Sequence, residues 1–446
     1  MQPVQKISLC AVGAVVASLL TACGSGNNTL TPANVRLANA SSVTLNFSLN
    51  ETYDISNIGS GTASGYVQIP PGTYNSSVFA SALTPAVGYP FSLATGQSYT
   101  AIGYVRDSNT SGALHVDNMS IPTAGFANID VENISIDAGA LNVYLVSPNQ
   151  TPTSSNTANF SSIQLGQSYP ESFGQGTYDV WITGSGGLTD VRAVAKKVTF
   201  NSNQPYTLAT TSTSGGVLVD LTVIPQGGGV VGVATPNPSF HPSTFSRVRV
   251  VSALPFSSSV NPALVQATVT DSTGTVTNLY QDYAPNPTSY QLVNASTSST
   301  ANTTVTSIAV TDPSSTVVTV TPSNSVNLQS GNDYTILVYG TNAAPVALIL
   351  TDDNQIIANE ASVRLINAAV TAPIDLNVDG SFPYTTGVGY GATTAYAGVA
   401  PGSGLNLQVL GGGSYNYSTT TTLKTDAVYS VVVYSATAAP IVMEDR

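Results

Sequence analysis

The sequence predicts an all-β chain: tandem immunoglobulin-like antiparallel β-sandwich domains after a cleaved lipoprotein signal peptide. Three observations carry this. Apolar and polar residues alternate in short runs, and no segment holds a helical period with caps. Turn signals rich in Gly, Pro, Asn and Asp punctuate the runs. The stretch Val363-Arg364-Leu365-Ile366-Asn367-Ala368 has counterparts at Val35-Arg36-Leu37-Ala38-Asn39-Ala40 and Val248-Arg249-Val250-Val251-Ser252-Ala253. The chain therefore reads as copies of a unit of roughly a hundred residues, longer than the roughly 20–50 of solenoid or propeller repeats. Such units are expected to follow one another as beads on a string.

The chain has 446 residues, of which 42% are hydrophobic and only 8% charged. Thr, Ser, Asn, Gly and Pro fill the place of charge. This composition suits a neutral, polar extracytoplasmic β surface and excludes disorder. Residues 7–20 form an apolar stretch too short to span a bilayer comfortably. Leu20-Thr21-Ala22-Cys23-Gly24 follows and resembles a bacterial lipobox, which makes Cys23 the lipidated N-terminus of the mature chain. Gly24, not Asp, stands after it, so the sorting pattern points to the outer membrane. The other cysteine, Cys10, lies in the removed segment, which leaves no disulfide and no cysteine metal site. Removing residues 1–22 also takes Lys6, leaving 10 basic residues against 23 acidic ones, a net charge of −13. That balance argues against nucleic-acid binding.

In chain order, residues 1–22 are the signal peptide and 23–33 a Gly/Ser/Asn-rich tether reaching roughly 15–20 Å. Residues 34–123 form the first repeat. Its signals are the Arg36 strand, the alternating Leu45, Phe47 and Leu49, the Gly72-Thr73-Tyr74 turn, and Gly96-Gln97-Ser98-Tyr99 opening a strand. Residues 124–225 repeat this loosely, with Asp130 where Arg is expected, Gly176-Thr177-Tyr178 as the turn and Gln204-Pro205-Tyr206 opening the later strand. Residues 226–244 are a Gly/Pro linker, the expected first site of proteolysis. Residues 245–359 form the third repeat, with a Ser/Thr/Asn-rich surface loop at 295–304. Residues 360–446 form the fourth. There Ile374, Leu376 and Val378 alternate with Asp375 and Asn377, and Asp379-Gly380 marks a tight hairpin.

These units resemble the bacterial "domain of unknown function 4397" family. The resemblance is carried by V-R-[LV]-x-[NS]-A, an alternating strand, a Gly-x-Tyr turn, Tyr-Thr or Tyr-Ser before a Val-rich strand, and A-A-P-[IV]. That last motif stands at Ala343-Ala344-Pro345-Val346 and Ala438-Ala439-Pro440-Ile441. Residues 362–446 match best and 127–224 least. Where the family often carries His after the first strand, this chain has Asn39, Ser252 or Asn367. The resemblance implies a β-sandwich on secreted or surface proteins and no activity.

Chemistry needs a poised acid, base or nucleophile. The chain has two histidines. His241 lies in the linker, and His115 is expected on the solvent face of a strand between Leu114 and Val116. No catalytic motif occurs, so no catalytic residue is assigned. The acidic groups at unit ends, Asp117, Asp352-Asp353 and Glu444-Asp445, could stiffen joints through Ca²⁺. They read better as solubilising residues, since no calcium-loop motif is present, and no metal or cofactor is expected. Arg36, Arg249 and Arg364 hold equivalent positions and read as structural, the stem covering apolar surface while the fork bonds a carboxylate or carbonyl. Tyrosine is abundant, 22 against 11 Phe and the single Trp181. Tyr74, Tyr99, Tyr178, Tyr206 and Tyr334 read as core or corner residues. Tyr384, Tyr390 and Tyr396, in a Gly-rich stretch, read as a candidate binding patch.

The leading functional expectation is a non-enzymatic outer-membrane lipoprotein, held to the membrane by its N-terminal lipid and acting as a spacer or adhesion module, with a surface glycan or protein as partner. The alternative is a glycan- or peptide-binding module for nutrient capture. A secreted hydrolase ranks last.

Overall fold

The V-R-x-x-N-A stretches become strands that are buried on both faces. Ala361–Asn367 is buried at every position, and Ala33–Asn39 and Phe245–Ser252 at nearly every one. Each pairs in parallel with a second buried strand: Ala33–Asn39 with Ser98–Arg106, Phe126–Asn133 with Gln204–Ser212, Phe245–Ser252 with Asp333–Thr341, and Ala361–Asn367 with Val428–Val433. Continuous rather than alternating apolar patterning is what a two-faced strand requires. The other sheets show the alternating pattern of strands with one dry face, as in Leu264–Thr270 and Ile374–Val378.

In this computed structural model the described residues are 30–446 except 81–82, 84–88, 107, 118, 228–236, 255–263, 272, 282–288, 296–302, 312–315, 323–325 and 412–414. Residues 20–24 with the lipobox, most of the 295–304 loop and the middle of the Gly/Pro linker therefore lie outside them. The described residues form eight sheets of four or five strands, and the one helical turn among them is Gly187–Thr189. No helix among them is long and apolar enough to cross a membrane.

The sheets make four two-layer sandwiches. In each, one sheet holds the parallel pair at its centre and the second sheet is antiparallel throughout. The parallel pair is the departure from the expected all-antiparallel arrangement. It arises because the first strand of each sandwich lies between an antiparallel neighbour and the late Tyr-bearing strand. Each sandwich has its own apolar core, such as Val363, Leu365, Leu376, Leu407, Val409 and Val431 in the last.

Local devices recur. The asparagine closing the first strand donates its side-chain amide to one carbonyl of the following loop and one of the facing sheet: Asn39 to Val43 and Ile58, Asn133 to Gly139 and Ile163, Asn367 to Val370 and Val388. Tyr99, Tyr206, Tyr334 and Tyr429 each accept, at the hydroxyl, the backbone N–H five residues upstream at 2.9 Å. This is the tyrosine-corner geometry of β-sandwiches. Tyr74 and Tyr178 instead donate to carbonyls four residues back. Asp379 and Gly380 both take positive φ, as the hairpin turn between Ile374–Val378 and Ser381–Val388 demands.

The chain divides into two compact units, one within Met1–Thr213 and Val219–Ser243, the other within Ser214–Leu218 and Thr244–Arg446. Within each unit the sandwiches are packed sheet against sheet and are not beads on a string. In the first, Ala38, Ala40, Ile102, Tyr104, Ile134, Ala209 and Ile224 form a shared apolar layer. In the second, Val251, Leu337, Leu350, Ile366, Val432 and Met443 do the same. Part of the expected linker is also structured. Ser239–His241 adds a strand beside Val219–Pro225, and Gln226 is buried.

Candidate functional site

The outer faces of the parallel-pair sheets carry a cluster of buried charge, because packing two sandwiches together covers them. The alternation of Val363 and Leu365 inward sends Arg364 outward, into the contact between the third and fourth sandwiches. Its Nε donates to Ser430 Oγ at 2.7 Å and its Nη2 to Asp352 Oδ1 of the other sandwich at 2.5 Å. Arg249 mirrors it: Nε to Thr335 Oγ1 at 2.9 Å and Nη2 to Asp445 Oδ1 at 2.6 Å. Each Asp is tied to its own sandwich by a hydroxyl and a phenol, Thr335 and Tyr290 on Asp352, Ser430 and Tyr396 on Asp445. The tyrosine rings lie over the guanidinium groups, Tyr290 at 4.5 Å from Arg249 and Tyr396 at 4.6 Å from Arg364. The contact is thus reciprocal, like an isologous interface within one chain.

The electrostatics follow from burial and pairing. Burial pushes the Asp352 carboxyl up, but Arg364 and Arg249, with the Thr335 and Tyr290 hydroxyls, outweigh it and hold the group below its ordinary value. Burial and the neighbouring carboxylates push the Tyr290 and Tyr396 phenols far up, so both stay protonated donors.

The first unit keeps half of this device. Arg36 Nε donates to Thr100 Oγ1 at 2.8 Å, Thr100 and Tyr66 bond Asp117, and the Tyr66 ring lies 4.9 Å from the Arg36 guanidinium. Across the contact, Arg36 Nη2 finds the Pro225 carbonyl at 2.8 Å in place of a carboxylate, and its Nη1 is buried without a partner. The strand registers explain why. Asp130 stands where Arg36, Arg249 and Arg364 stand, since it faces Thr207 as they face Thr100, Thr335 and Ser430. Pro170, opposite Asp130, occupies the tyrosine position. Gln226 occupies the aspartate position, two residues beyond the partner of Thr207.

His115 fills the gap. It was expected at the solvent face and is 6% exposed. The alternation placed it correctly on the outer face, and the second sandwich covers that face. Its Nδ1 is 2.8 Å from Glu132 Oε2 and its Nε2 3.0 Å from both Thr207 Oγ1 and Gln226 Nε2. A second ion pair crosses the same contact, Arg106 to Asp137 at 2.7 Å.

The remaining expected site residues are dispersed. Tyr396 has its hydroxyl committed to Asp445 and is not part of an open patch. Tyr390 is 43% exposed with its ring edge-on to Tyr339 at 5.3 Å. The side chain of Tyr384 lies outside the described residues. The three therefore do not form one described surface. Asp117, Asp352 and Asp445, read as solubilising residues at unit ends, are the buried partners of the arginine clusters, while Glu444 pairs with exposed Lys424. Among the described residues no group of three metal-ligating side chains is arranged to hold an ion. Sequence reading missed Tyr66, Tyr290, Glu132 and Gln226. The usable signal was an aspartate two residues beyond the strand residue that pairs with the Thr or Ser opposite an Arg.

No curated protein matches the sequence. Among solved structures, a candidate cell adhesion protein from Bacteroides uniformis is 12% identical, with a TM-score of 0.26, covering 52% of this chain and all of that one. The TIE protein of Bacillus anthracis is 9% identical with a TM-score of 0.14, over 87% of this chain and 66% of that one. The major pilin subunit of Bacillus cereus is 10% identical with a TM-score of 0.12, over 72% and 95%. Likeness at this level carries no function. Residues 33–144, the first sandwich and the opening of the second, match the family described as Domain of unknown function (DUF4397).

Proposed function

We propose that this is a non-enzymatic surface lipoprotein, anchored in the outer membrane through lipidated Cys23, whose four tandem DUF4397-type sandwiches act as a spacer or adhesion module. The observation that carries the reading is the reciprocal Arg–Asp–Tyr clamp. Buried charges cross from sandwich to sandwich, Arg364 to Asp352, Arg249 to Asp445 and Arg106 to Asp137, as a spacer or adhesion module requires and a catalyst does not. Among the described residues, an arrangement that resembles a catalytic line, Thr207–His115–Glu132, is buried beneath the paired sheet, where no substrate reaches it.

The test is made in cells. Wild-type protein is expected lipidated and in the detergent phase of outer-membrane fractions, and Cys23→Ala is expected to lose both the lipid and processing at that residue. Unchanged partitioning and processing in Cys23→Ala removes the anchor from the proposal. Cells lacking the protein are expected to adhere less to host or neighbouring cells. Equal adhesion, together with tight binding of the purified chain to a glycan array, favours nutrient capture instead.

A further inference from the structure

The His115 cluster differs from the other clamps in its charge. In the second unit, Arg249 and Arg364 face Asp352 and Asp445, and the charges balance. In the first, one arginine, Arg36, faces three carboxylates. Asp117 lies beside it, and Asp130 and Glu132 come from Phe126–Asn133 of the other sandwich. Thr207, Gln226 and Tyr66 complete the surroundings and carry no charge. With His115 neutral the cluster is two positive charges short. Asp130 receives only partial compensation from Ser168 and the Tyr169 N–H, and its Oδ1 is buried without a partner. A buried carboxylate in that state favours uptake of a proton.

The hydrogen bonds also distinguish two states. Gln226 Oε1 accepts the Met119 N–H at 3.3 Å, which turns Nε2 toward Thr207 Oγ1 at 2.9 Å and His115 Nε2. In that arrangement His115 is neutral, donating from Nδ1 to Glu132 and accepting at Nε2. A proton on Nε2 makes it a donor to Thr207 Oγ1 and requires the Gln226 amide to turn over. Each protonation state thus has its own bonding pattern across the contact.

We propose that the His115–Asp130–Glu132 cluster is a proton-operated latch between the first two sandwiches, tightening their contact on mild acidification and loosening it as pH rises. The sign is consistent across the groups. Burial pulls His115 down, but the hydrogen bond and charge of Glu132, with Asp117 and Asp130, raise it above its ordinary value. A raised histidine contributes fully below about pH 6.5, and its contribution is lost as pH climbs through the folded-state value. Burial raises Asp130 despite the nearby His115, so ionising it also weakens the folded state as pH rises. Asp220 of the same unit, pushed up to about 7 by burial, adds a background of the same sign.

The single tryptophan, Trp181, lies in the second sandwich, so its fluorescence reports this unit in the intact mature chain. Urea unfolding is expected to show a higher midpoint at pH 6 than at pH 8, the unfolding constant changing by up to about tenfold per pH unit across the histidine's range. The double variant His115→Met with Glu132→Val installs the side-chain types that Met443 and Val251 supply in the second unit. It is expected to reduce the slope to what Asp130 and Asp220 contribute. Equal slopes in wild type and variant overturn the latch. Should the variant fail to fold, NMR titration of wild-type His115, assigned with His241→Asn, decides: a midpoint above that of a free histidine supports the latch, and no titration between pH 5 and 8 overturns it.

Discussion

Where Leu350 and Met443 lie in one apolar layer with Val251 and Ile366 in the second unit, His115 lies on Glu132 in the first. On the other side of the first unit's contact, the equivalent positions are Ile224 and Ala38, and they keep the apolar form. The polar replacement is therefore one-sided. It coincides with the loss of arginine, tyrosine and aspartate at Asp130, Pro170 and Gln226. A reciprocal contact tolerates this because each half is assembled from its own strand positions. What changes is the response to conditions. Two arginines that never deprotonate hold the second unit together across the ordinary pH range. In the first, half of that role falls to a histidine, which titrates within it.

The largest effect expected from breaking this comparison is in the second unit. Arg364→Met leaves Asp352 buried without its cross-sandwich partner, which costs about 3–5 kcal/mol. Hydrogen exchange of Val428–Val433 in the intact chain reads the loss. Adding Asp352→Leu removes the stranded charge and is expected to recover much of it, because both partners are then apolar. A double variant as unstable as the single one means that the pair does not act as a unit.

Acid separates the units next. Asp352 sits below its ordinary value, so its contribution is present above about pH 4 and lost as pH falls through the folded-state value. The second unit should weaken as pH falls below about 4, while the first gains between about pH 8 and pH 6. Hydrogen exchange of the second unit followed beside Trp181 fluorescence checks both limbs. Parallel pH profiles would sink the contrast.

Asp130→Asn sharpens the first unit's side. Removing a buried carboxylate with an unpartnered oxygen is expected to stabilise that unit at pH 8 by on the order of 1 kcal/mol, with little effect at pH 5. Urea midpoints followed by Trp181 fluorescence decide it. Destabilisation at both pH values would mean that the charge is compensated after all.

Much of the fold was legible in the sequence because each sandwich repeats its own local rules. Leu45, Phe47 and Leu49, or Ile374, Leu376 and Val378, line one dry face and alternate accordingly. The Asp379-Gly380 turn and the corner tyrosines are set by residues a few positions apart. The clamps were less legible because they depend on register across distance. Arg364 meets Asp352 only 12 residues away, but Arg249 meets Asp445 across 196. Nothing local distinguishes an outer face that meets water from one that meets a second sandwich. His115 looks like an exposed residue of a half-buried strand for that reason. The apolar residues Ala38, Ile366 and Val251 on the same faces were the available hint, since an apolar outer face has to be covered.

The smallest effect concerns Tyr390, and it divides the tyrosines of the Gly-rich stretch. Tyr396→Phe removes a hydroxyl donor from buried Asp445, which costs about 1–3 kcal/mol. Tyr390 is partly exposed, and its contact in the described residues is the edge of Tyr339, so Tyr390→Ala is expected to cost roughly 0.5 kcal/mol. An exposed aromatic beside Gly389 and Gly391 offers contact area on an adaptable backbone, which suits a binding surface better than a core. If Tyr390→Ala lowers cell-surface binding while the melting temperature stays within a degree or two, the contact surface includes this ring. If the two variants lose equal stability, Tyr390 belongs to the clamp side of the stretch, and the contact surface has to be sought elsewhere on the chain.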